Sequence, residues 1–141
     1  MMRRRWPALG LTLTGVALLA GCGRPDAAAA DATAEHFYQA VEAAEGADAC
    51  SFLAPATVEN LEDDAGEPCA DAILAGEVGD TLTSRADDAT DPVARVAGRQ
   101  AQAVLPTDVV FLTVSGDHWL ITAAGCDARP QRPYDCVLEG S

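Results

Sequence analysis

The chain has 141 residues and a formal net charge of −13, with 22 Asp and Glu against 9 basic residues, all arginine. A surface this acidic repels phosphate backbones, so nucleic-acid binding is excluded as an expected function. The length holds one hydrophobic core and not two, which predicts a single domain.

The chain opens Met1-Met2-Arg3-Arg4-Arg5, followed by the apolar run "LGLTLTGVALLA" from Leu9 to Ala20. A basic start, about a dozen apolar residues and a small-residue exit make a secretory signal. The run is shorter than the roughly 20 residues a membrane span needs. It ends in Leu19-Ala20-Gly21-Cys22. These four residues resemble the bacterial lipoprotein signal. That resemblance implies cleavage before Cys22, acylation of its sulfur and a mature chain beginning there on the extracytoplasmic face of the cell membrane. Two or more acyl chains anchor stably, because each buried methylene contributes about 0.8 kcal/mol. Residues 1–21 are thus the expected signal peptide. Residues 22–31, "CGRPDAAAAD", are small and polar and predict a flexible tether. Loss of Arg3, Arg4 and Arg5 takes the net charge from −13 to −16. An anionic membrane surface would repel such a domain, so it is expected to stand off from its anchor.

The domain expected over 32–141 begins with a helix. Asp31 is a candidate cap, and Ala34, Phe37, Val41 and Ala44 recur at three- and four-residue steps beside Tyr38. Gly46 is a natural stop. Asp48 is placed to cap a short helix over Ala49–Ala54 that Pro55 closes, Thr57–Leu61 is a third turn or short helix, and Cys69–Ala75 reads as a fourth helix. After Gly79 the period changes: Thr81–Arg85 reads as a strand candidate and residues 86–92 as loop. A meander follows, with strands over Val93–Ala97, Gln100–Leu105, Val109–Val114 and His118–Ala124. Turns are expected at Gly98-Arg99, Pro106-Thr107-Asp108 and Ser115-Gly116-Asp117. The tail from Cys126, with Pro130 and Pro133 among arginines, reads as irregular structure. Helices first and an antiparallel sheet afterwards predict an α+β fold, a curved sheet on a long first helix burying Phe37, Val41, Phe111, Leu112, Trp119 and Ile121 together.

With Cys22 acylated, Cys50, Cys69, Cys126 and Cys136 remain, an even set in an exported domain, which reads as disulfides. Pairing Cys50 with Cys69 and Cys126 with Cys136 closes two short loops, each contributing about 3 kcal/mol by the chain-entropy estimate. Crossed and nested pairings remain open. Zinc would need a close cysteine pair, and His36 and His118 lie far from the cysteines in sequence.

The segments "AEHFYQAVEAAEGADACSFLAPAT" (34–57), "VFLTVSGDHWLITAAGC" (110–126) and "RPYDC" (132–136), with Cys69, carry a wider resemblance. The pattern is similar to the nuclear-transport-factor-2-like cone fold of ketosteroid isomerases and SnoaL-like proteins, and more narrowly to small actinobacterial lipoproteins. Residues 76–92 depart from it. The resemblance implies a cone-type, cystatin-like fold and an anchored location, without an activity.

Chemistry is thinly signposted. Cone folds often enclose apolar pockets, and some use them for acid–base catalysis, for which Tyr38 is the candidate hydrogen-bond donor. His118 beside Trp119 on a strand is expected to face solvent. Ser51, Ser84 and Ser115 lack a nucleophile-elbow glycine pattern, and the acidic runs 62–64 and 87–91 lack the spacing of a calcium loop. No catalytic residue, cofactor motif or metal set is therefore assigned. Two functions remain: an anchored binding or accessory module for a small apolar ligand or an envelope protein, and a small enzyme of isomerase or dehydratase type. A buried acid beside Tyr38 in an open pocket would favour the enzyme.

Overall fold

The structure, a computed structural model, describes residues 26–131 and 133–140. The leader, Cys22 and Arg132 lie outside the described residues. Within them, helices come first and an antiparallel sheet follows, giving the expected α+β order.

Helix α1 spans Ala27–Glu42 and begins inside the segment expected to be a tether. Alanine is the best helix former, so "AAAAD" extends the amphipathic stretch rather than separating from it. Asp26, not Asp31, is the cap, its side chain accepting from the Ala28 N–H at 3.0 Å. Ala30, Ala34, Phe37, Tyr38 and Val41 form the buried face. Glycine does not end this helix. Ala44 takes the left-handed position (φ 55°), and the Glu45 and Ala44 N–H groups donate to the Ala40 and Val41 carbonyls, a Schellman closure.

Gly46 instead opens α2 (Gly46–Ser51), so Asp48 lies in its first turn and is not the cap. The glycine is there for space: a Cβ would meet the Ala70 carbonyl oxygen at 1.9 Å. That close approach brings α2 against α4 (Cys69–Ala72), where Cys50 and Cys69 are joined. Between them α3 (Pro55–Ala65) is longer than expected, continuing through "EDDA" to a left-handed Gly66. Its proline occupies the first turn, where a missing N–H costs nothing.

The strand candidate at Thr81–Arg85 is instead part of helix α5, Gly76–Ala86. Val78, Leu82 and Ala86 recur at four-residue steps on its packed side, and this period overrides the β-propensity of its threonines. Gly79 sits against the Leu74 carbonyl, where a Cβ would lie 2.4 Å from the oxygen.

The sheet contains β1 (Val93–Ala97), β2 (Gln100–Val104), β3 (Val109–Ser115), β4 (His118–Asp127) and β5 (Asp135–Glu139), antiparallel in that order, with β3 central. The tail is thus ordered as a fifth strand, with Cys126 and Cys136 as disulfide-bonded register partners on β4 and β5. Ala101, Ala103, Val110, Leu112, Trp119, Ile121 and Leu138 face the helices. Phe111 does not join them. It alternates with Leu112 on β3, points to the opposite face and packs on Tyr134, with ring centroids 5.3 Å apart.

Candidate functional site

Among the described residues, three places gather polar or aromatic groups. The first is a buried knot around Asp108, in the loop between β2 and β3. Its side chain is wholly enclosed. Oδ2 accepts from the Tyr38 hydroxyl of α1 and from the Gly125 N–H at 2.8 Å. Oδ1 accepts from the Cys126 N–H at 2.7 Å and from Arg85 Nη1 at 3.2 Å. Arg85 comes from the last turn of α5 and also donates to the Thr107 and Cys126 carbonyls and to Asp127 Oδ1. The irregular backbone of β4, where Gly125 has φ 65°, aims two successive N–H groups at one carboxylate. Burial, then the charge of Asp108 and its hydrogen bond, hold the Tyr38 hydroxyl far above the usual tyrosine range; the Arg85 charge and the Gly125 backbone act the other way.

An acid therefore does stand beside Tyr38, which sequence reasoning set as the mark of an enzyme. Neither groove described below is lined by Tyr38, Arg85 or Asp108. Both carboxylate oxygens already accept two donors each. The knot is a satisfied ionic network that ties α1, α5, the β2–β3 loop and β4 together.

The second place is the face of the sheet away from the helices. Register partners run across all five strands as Arg95, Gln102, Phe111, Ala123 and Glu139. This row floors a groove of about 630 Å³, walled by Thr122, Pro133 and Tyr134. A bulge between Phe111 and Leu112 shifts the β3–β4 register, and the Thr122 hydroxyl donates to the Phe111 carbonyl. Tyr134 is held over Phe111 by the β4–β5 loop, in which Arg129 donates to the Pro133 and Tyr134 carbonyls and pairs with Asp135 at 3.5 Å. The Phe111–Tyr134 pair thus has one cation (Arg95), one anion (Glu139) and two amides (Gln100 and Gln102) around it. Sequence reasoning missed it because every residue of "VVFLTV" is apolar or small, so nothing marked which ones turn outward.

A smaller groove of about 390 Å³ lies between the start of α1 and the β3–β4 hairpin, beside Phe52, Trp119 and His118. Trp119 is buried and His118 is solvent-exposed, paired with Asp117 at 3.1 Å. His36 is exposed beside the Phe52 ring. Ser51 and Ser84 donate to backbone carbonyls of their own helices. Among the described residues no three His, Cys, Asp or Glu side chains gather as a metal site requires, and no helix is long and apolar enough to cross a membrane. Of the singled-out cysteines, Cys136 alone reaches the larger groove.

Comparison with known protein families, with curated proteins and with solved structures returned no match to this chain.

Proposed function

We propose that this chain is a lipoprotein held by acyl groups on Cys22 at the extracytoplasmic face of the membrane, and that its domain is a cone-type binding module for a small, largely apolar ligand. The anchor rests on Leu19-Ala20-Gly21-Cys22 behind a basic, apolar leader. The binding role rests on one observation: the aromatic-floored groove on the open sheet face. Its volume is in the range of small-molecule sites, which combine apolar and aromatic lining with a few polar groups. A binding role is favoured over isomerase or dehydratase chemistry because the acid best shielded from water, Asp108, has its oxygens committed to four donors.

An uncharged, environment-sensitive naphthalene dye tests the reading. Saturable binding to the wild type is expected, weakened about tenfold by Phe111→Ala, since losing most of a ring contact removes at least 1.4 kcal/mol. Tyr134→Ala acts in the same direction. Dye affinity unchanged in both variants would remove the open face as the site.

A further inference from the structure

We infer that the end of the domain bearing the β3–β4 and β1–β2 turns lies against the lipid surface, so that the domain is held upright on the membrane rather than standing off from it. This rests on the reading of Cys22 as the acylated residue. The expected tether ran to Asp31, but the first described residue, Asp26, already caps α1. Four residue steps separate Cys22 from Asp26, which span at most about 14 Å even fully extended. The start of α1 is also fixed in place, because Trp119 Nε1 donates to the Asp26 carbonyl at 3.0 Å. Trp119 is two residues beyond the β3–β4 turn at Gly116-Asp117. The β1–β2 turn stands beside it, with Arg99 Nη2 donating to the Val114 carbonyl at 2.7 Å.

Charge agrees with this orientation. The near end carries Arg99, Asp26 and the Asp117–His118 pair, with Ala28, Ala29, Gly98 and Gly116 exposed between them. The exposed acids Asp87, Asp88 and Asp91, with Asp127 and Asp135 and their partners Arg85 and Arg129, border the opposite ends of the strands. Helix α1 runs between the two ends, and the 12 residue steps from Asp26 at Trp119 to Tyr38 at Asp108 measure about 18 Å. That separation exceeds the screening length of about 8 Å at physiological salt, so these five acids feel little repulsion from anionic headgroups. The partner surface is a bilayer, met by an end whose named charges, Arg99 against Asp26 and Asp117 with His118 neutral, sum to −1 in a far more acidic domain.

The test uses the isotope-labelled protein extracted from its own membrane and returned to vesicles containing gadolinium-chelate headgroup lipids. Intact mass is read on the same sample. Amide signals of Gly98, Arg99, Gly116 and His118 are expected to be lost, and those of Asp88, Asp127 and Asp135 kept. Inserting twenty Gly and Ser residues after Arg24 is expected to abolish this contrast without changing the spectrum in lipid-free detergent. Uniform loss, or loss at the far end, on a protein whose mass shows acyl groups overturns the orientation and leaves the anchor standing. A mass without acyl groups overturns both.

Discussion

Tyr38 and Asp108 are 70 positions apart in sequence and share a hydrogen bond in the core. Breaking a buried ionic pair by removing one partner costs about 3–5 kcal/mol, and Asp108→Ala takes one acceptor from Arg85 and leaves the Tyr38 hydroxyl and two buried N–H groups without theirs. Urea unfolding is expected to show a loss of about 3 kcal/mol, at the low end because Arg85 keeps Asp127. Tyr38→Phe removes one donor to a charged acceptor and costs about 2 kcal/mol at neutral pH. The two variants part at high pH. Burial and Asp108 raise the Tyr38 hydroxyl in the fold, so it is expected to keep its proton there, while in the unfolded chain it titrates near pH 10. Its contribution to stability is thus fully present below pH 10 and declines above it, by about 1.4 kcal/mol per pH unit. Wild-type stability is expected to carry this slope and Tyr38→Phe to lack it. Equal slopes in urea titrations between pH 10 and 11.5 would show that Tyr38 ionises in place.

Helix ends show where sequence reasoning and structure diverge. Ala44 occupies a left-handed position that costs an L-residue about 1–2 kcal/mol. Ala44→Gly relieves that strain against a greater unfolded-state entropy, so a gain of up to about 1 kcal/mol is expected in thermal or urea unfolding. Gly46, which looks like the stop glycine, is expected to behave oppositely. Gly46→Ala drives a methyl into the Ala70 carbonyl and costs about 1–3 kcal/mol. The two residues are distinguished by tertiary approach, which no local pattern encodes. The hairpins were legible because Gly98 and Gly116 punctuate alternating strands, and the local cysteine pairing was legible from loop length. Helix α5 was hidden by threonines that favour strands, although Val78, Leu82 and Ala86 carried the helical period. With α5 misread, Arg85 had no place, and the Asp108 in "PTD" passed for an ordinary turn residue. The groove was illegible for a different reason: whether Phe111 faces in or out depends on strand register, not composition.

At the scale of the molecule the two disulfides divide the labour. Cys50–Cys69 closes a 19-residue separation among the helices, and Cys126–Cys136 a 10-residue separation between β4 and β5. Replacing either pair by alanine is expected to cost about 3 kcal/mol in the chain-entropy estimate. Their effects on the open face differ. β5 and its loop carry Tyr134, so loss of Cys126–Cys136 is expected to weaken dye binding as well as stability. Loss of Cys50–Cys69 lowers stability and leaves dye affinity unchanged under conditions where both variants are folded. Parallel calorimetry and dye titration separate the two. The joint between the Asp26 carbonyl and the Trp119 indole also has a mechanical meaning. Tension arriving through the preceding residues enters where a helix and the strand beside the centre of the sheet are fastened together. Opening of the first turn of α1 would break that hydrogen bond, an event that the indole's own emission would announce.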